Sequence, residues 1–129
     1  MKNTVFLGTS KDNILDFPVE VRKEIGFAIY TAQGGGKAIN ATPLICFKGS
    51  GVVEIISNHN GDTFRSVYTT RFGNMVYVLH AFQKKSKSGV ATPPKELEMV
   101  RRRLKQAEIH YIEELKKEAE TKNGRQQTG

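Results

Sequence analysis

Residues Met75 to Phe82, MVYVLHAF, are aliphatic or aromatic apart from one readily charged side chain, His80, and such a run settles as a strand buried on at least one face. The charge arrives where the run ends, with Lys84, Lys85 and Lys87 among Gln83, Ser86, Ser88 and Gly89. A stretch so polar and so rich in small residues cannot continue a buried strand, so it reads as a cationic loop hung on a rigid element. Two further strands precede it. Val52–Ser57 and Thr63–Thr70 flank Asn58, Asn60, Gly61 and Asp62, a hairpin signal, and Gly73–Asn74 turns the chain into the third strand. Residues 52–83 therefore read as an antiparallel meander. Alternation places Phe64, Ser66, Tyr68 and Thr70 on one face and Arg65, Val67 and Thr69 on the other. Arg65 is thus mid-strand, an unusual place for a merely solvated arginine.

The net charge of +7 is not spread along the chain. Met1 to Asp62 carries six basic and six acidic residues, and Glu96 to the end carries eight and seven. The remaining +6 lies in Thr63–Lys95, where Arg65, Arg71, Lys84, Lys85, Lys87 and Lys95 occur without a single Asp or Glu. An acid-free span of that length favours a polyanionic partner over solvated lysines gathered by chance.

Around the meander, Thr4–Leu7 reads as a short first strand, with Ser10 and Asp12 offering turn or cap chemistry. Pro18 opens a helix in which Val21, Ile25, Ala28, Ile29 and Ala32 recur at helical spacing, and Gly34–Gly36 stops it. Those glycines follow a helix, and Lys37 precedes alanine, so they do not form a nucleotide phosphate loop. Residues 37–51 read as a connector that packs Leu44, Ile45 and Phe47 on the core, with Cys46 a small buried hydrophobe. Thr92 and Pro93 start a long helix with an apolar stripe of Leu97, Val100, Leu104, Ala107, Tyr111 and Leu115, reaching toward Ala119. A domain of this size rarely buries every turn of such a helix. Arg101, Arg102 and Arg103 point around it, so only part of that run serves one surface. We expect one domain over residues 1–120 and a disordered polar tail at 121–129. A lone cysteine excludes a disulfide framework, MKNTVFLG is too briefly apolar for a signal peptide, and no run has the length of a membrane span. The expectation is a cytoplasmic protein in a reducing compartment.

His59, His80 and His110 lie in three different elements without carboxylates at ligand spacing, which argues against metal catalysis, and no glycine-flanked serine elbow is present. A set of cations able to hold a phosphate remains. RNA carries its own nucleophile, the 2′-hydroxyl, so a protein that aligns it and stabilises charge on the phosphate can cleave the chain without a metal or other cofactor.

The order VRKEIG with an alanine-bearing helix ending in glycines, then FRSVYTT, then VYVLHAFQKKS, then TPPKELEMVRRR resembles RelE/HigB-type toxins of bacterial toxin–antitoxin modules, in particular the phage-derived branch. The resemblance covers residues 2–115. It implies an α+β fold: a small RelE-like domain with a twisted antiparallel sheet of three to four strands, helices on one side, an N-terminal helix and a long C-terminal helix. It also implies an mRNA endoribonuclease, often acting on the ribosome and restrained by a cognate antitoxin of helix-turn-helix type. On this likeness Arg65 matches the arginine that binds the scissile phosphate, and Lys84 and Lys85 match the basic pair that stabilises the transition state. His80 is a candidate general acid or base as well as a packing residue. Lys87, Arg71 and His59 are candidates for RNA contact. The chain departs from the pattern at Val53-Glu54-Ile55-Ile56, where relatives carry Glu-Leu-Arg, and in ending on a helix in place of a strand with a catalytic tyrosine or histidine. Alignment and charge stabilisation by cations is the route these departures leave. Two other functions fit the same cations: a non-enzymatic nucleic-acid-binding module, and a gyrase-poisoning toxin of the same fold.

Overall fold

A computed structural model describes residues 1–47, 49, 51–84 and 91–128, with side chains described no further than Lys122. Strand β1 (Asn3–Phe6) is followed by helices α1 (Ser10–Leu15) and α2 (Val19–Gln33). Strand β2 (Ala41–Pro43) and a 3-10 turn (Ile45–Phe47) lead into β3 (Val52–His59), β4 (Asp62–Thr69), β5 (Met75–Lys84) and α3 (Pro94–Thr128).

The expected meander forms, with β4 antiparallel to both β3 and β5. Asn60 (φ 49°) and Gly61 (φ 83°) make the β3–β4 turn with the paired positive φ values that a tight hairpin requires. The sheet is larger than expected, with five strands in the order β1-β5-β4-β3-β2. Its additions are β2, antiparallel to β3, and β1, which runs parallel to β5. Both are short edge strands: β2 pairs with residues 10 to 14 positions further on, across a 3-10 turn, whereas the partner of β1 lies far away in sequence, so local pattern does not announce that pairing.

The helices cover both faces of the sheet, not one. On one face Ile14 of α1 and Val21, Ile25, Ala28, Ile29 and Ala32 of α2 pack on Ile55, Phe64, Tyr68, Val76 and Val78. On the other, Val100 and Ala107 of α3 pack on Val52, Val67, Tyr77 and Leu79. Pro18 stands as the residue before α2, and Gly34 ends it. The 3-10 turn divides its residues sharply. Leu44 and Phe47, three apart, are buried, whereas Ile45 and Cys46 between them are exposed, which corrects the expectation that both are buried. Further along α3, Ile109, Ile112 and Leu115 are exposed. The helix then runs through the polar residues read as a disordered tail, to Thr128. Lys122, Arg125, Gln126 and Gln127 favour the helix there, whereas Thr121, Asn123 and Gly124 do not, so the composition of this stretch does not by itself account for its helical form.

Candidate nucleic-acid interface

One irregularity in β5 decides which side chains share a face. Val67 pairs with His80 but Tyr68 pairs with Val78, so Leu79 is an extra residue in the ladder. Strict alternation would point His80 the same way as Val76 and Val78, toward α2. The bulge turns His80, and with it Phe82 and Lys84, onto the α3 side. There Phe82 pairs with Arg65 and Lys84 with Thr63, so Arg65 and Lys84 stand diagonally on one face of neighbouring strands.

Arg65 is 3% exposed. Its Nη1 donates to Glu54 Oε1 at 3.0 Å and to Thr92 Oγ1 at 3.4 Å, and the Thr92 hydroxyl donates in turn to Glu54 Oε2 at 2.8 Å. Its Nε is buried without a hydrogen-bond partner. The ammonium of Lys84, also buried, donates to Ala91 O at 2.6 Å. The two cations therefore reach adjacent residues, Ala91 and Thr92, just before α3. Arg65 and Lys84 thus share one side of the sheet, but neither forms an open phosphate cradle, and the Arg65 charge is matched by Glu54. Alternation assigns a side chain to a face; it does not reveal what lies over that face.

His80 is engaged at both ring nitrogens. Nε2 lies 2.9 Å from Glu96 Oε2, and Nδ1 lies 3.5 Å from Arg103 Nη1. A guanidinium only donates, so Nδ1 accepts and the ring proton sits on Nε2, directed at the carboxylate. Burial pushes the imidazole below the usual histidine range and the Arg103 charge acts the same way, while Glu96 opposes both. The ring stacks on Phe82 at 5.2 Å. A partnered, neutral histidine of this kind is first a strut between β5 and α3. Arg103 completes the strut: it is buried, and it donates to Leu79 O at 3.0 Å and Thr9 Oγ1 at 3.3 Å. Gly8, at φ +53°, lies against it, and a Cβ there would come within 2.6 Å of the guanidinium carbon.

The other candidates are not brought to this cluster. Arg71 follows the far end of β4 and lies over the Phe72 ring at 5.7 Å. His59, at the hairpin end of β3, faces Glu20 of α2 at 3.3 Å. Lys85 and Lys87 lie outside the described residues. Sequence reasoning did not single out Glu54, Thr92, Glu96 or Arg103 as members of this cluster. Glu54 left a signal: it is the only charged residue in GVVEII, otherwise an apolar strand. Arg103 left a fainter one, falling between Val100 and Ala107 on the buried stripe. Among the described residues no group of three or more His, Cys, Asp or Glu is placed to hold a metal ion, and no helix is long and apolar enough to cross a membrane.

Comparison with curated proteins and with solved structures gave no significant match. A family model described as "Phage derived protein Gp49-like (DUF891)" matches residues 12–105, from within α1 to the first turns of α3, and so includes Glu54, Arg65, His80, Lys84 and Thr92. The match is to this family and is coarser than the RelE/HigB likeness of the motifs. With nearly three-quarters of its length matched, the chain belongs to the Gp49-like family of phage-derived proteins.

Proposed function

We propose that this chain is the toxin of a type II toxin–antitoxin pair and that it cleaves mRNA, on the ribosome, by attack of the 2′-hydroxyl on the neighbouring phosphodiester without a metal. The observation that carries the reading is the convergence of Arg65 and Lys84 on Ala91 and Thr92. Ala91 O and Thr92 Oγ1 are neutral acceptors, a carbonyl and a hydroxyl, and lie beside the Glu54 carboxylate that pairs with Arg65. Phosphate oxygens are charged, and charge-assisted hydrogen bonds are roughly twice as strong as neutral ones, so a phosphodiester entering here displaces Ala91 O and Thr92 Oγ1 favourably. The same two cations then face the extra negative charge that develops on the phosphate as the 2′-oxygen attacks. Glu54 holds the guanidinium in place through its hydrogen bond to Nη1.

The chain works in the cytoplasm in this reading, with mRNA as substrate and a helix-turn-helix antitoxin as protein partner. Exposed Phe27 and Tyr30 on α2, and Ile112 and Leu115 on α3, are apolar surface available to that partner. The test is to induce the chain alone and with its neighbouring open reading frame, and to map mRNA 5′ ends. New ends within minutes of induction, absent on co-expression, are expected. Unchanged ends accompanied by tight RNA binding would replace the enzyme with a binding module. Growth arrest with intact mRNA and lost supercoiling would move the target to gyrase.

A further inference from the structure

Beside the Arg65–Glu54–Thr92 cluster lies a cleft of about 440 Å³, between the β2 and 3-10 segment on one side and the start of α3 on the other. Its walls are largely apolar, among them Ile45, Ile56 and Leu97, and Thr42, Glu54 and Thr92 are the polar residues that line it, with Cys46 at the rim. An apolar cleft with one or two fixed polar groups is the usual form of a small-molecule site, and this volume suits a single nucleotide and not a duplex. Glu54 is only partly spent on its present partners. Oε1 accepts from Arg65 and Oε2 from Thr92, one bond each, whereas an ionised carboxylate has about four acceptor positions.

We propose that this cleft receives the base of an RNA nucleotide next to the bound phosphate, and that Glu54 selects guanine by accepting from its N1–H and N2–H together. The inference rests on the RNA-cleaving reading for its substrate, and adds which base that substrate carries. Guanine alone among the four bases offers two adjacent donors on its Watson–Crick edge, in the bidentate arrangement that a carboxylate accepts from arginine. Adenine turns an unprotonated N1 toward the carboxylate and loses one bond to lone-pair repulsion. The single-stranded base that such a cleft needs is also the form in which proteins read RNA sequence. Charge supports the same occupant. The cleft wall ends in Ala91 and Thr92, the residues to which Lys84 and Arg65 are bonded, so a base held by Glu54 places its own phosphate on the cationic side.

Cys46, the chain's sole cysteine, is exposed at the rim and reports occupancy directly. The experiment is alkylation of the full chain by iodoacetamide with no nucleotide, with 5′-GMP or with 5′-AMP, which differ only in the base. GMP is expected to slow alkylation at concentrations about tenfold below those at which AMP does, the lower end of what one bidentate contact gives in base discrimination. Glu54→Gln, which cannot accept two bonds, abolishes the difference. Ile45→Glu alters an exposed side chain that the fold does not need, and the acid it places at the rim weakens GMP protection whether or not the Gln variant folds. Equal protection by GMP and AMP, or none by either, overturns the inference even if the chain cleaves RNA. Loss of cleavage with GMP selectivity intact overturns the nuclease reading and leaves the cleft assignment standing.

Discussion

Arg65 and Glu54 are each less than one-twentieth exposed and are paired at 3.0 Å, so neither can be removed alone without leaving a buried charge uncompensated. Arg65→Ala is therefore expected to cost about 3–5 kcal/mol, read as a lowered urea midpoint, and growth assays on that variant report folding as much as chemistry. Lys84→Met retains most of the stem and removes the hydrogen bond to Ala91 O, for a cost of about 1–2 kcal/mol from that bond. It is the cleaner substitution. His80 supplies a pH dependence of known sign. Its native affinity for protons is lowered relative to the ordinary value of 6.5, so the unfolded chain binds the proton more readily. This contribution to stability is complete above pH 6.5 and is lost as the pH falls from there through the lowered native value. Urea midpoints measured along that limb should decline with acid, and His80→Gln should flatten the decline. An unchanged slope in the variant would show that another group titrates.

At the level of elements, α3 divides into a packed and an unpacked part. Val100 and Ala107 are fully buried against the sheet, while Ile112 and Leu115, one and two turns further on, are exposed. Deletion of residues 119–129 is expected to shift stability by less than about 1 kcal/mol, whereas Val100→Ala should cost about 2 kcal/mol through lost burial and the cavity left behind. Thermal unfolding of the two variants separates these outcomes. The meander, the helix opened by Pro18 and the apolar stripe of α3 were legible because each rests on a local period or a turn signal. The β5 bulge was not, because an extra residue among Leu79 and His80 leaves the hydrophobic pattern of MVYVLHAF unchanged while reversing the side to which His80 and Lys84 point. The parallel pairing of β1 with β5 was equally silent, since it joins residues some seventy positions apart.

Over the whole molecule, the acid-free segment Thr63–Lys95 begins in the strand that carries Arg65, contains Lys84 at the end of the next, and returns beside both at Ala91 and Thr92. The sequence made the charge asymmetry and the shared face of Arg65 and Val67 visible. It could not show that Glu54, on a third strand, holds the guanidinium, or that the start of α3 lies over the cluster, because both contacts depend on how distant elements pack. The central claim is that Arg65 and Lys84 grip one phosphodiester and stabilise the charge formed when it is cleaved. The most direct measurement is the rate at which the purified protein cuts ribosome-bound mRNA, compared between the natural chain and Lys84→Met at equal folded concentration. A drop of about a hundredfold, the effect of removing one charge-stabilising donor from a transition state, is predicted. Equal rates for the two proteins would contradict the account.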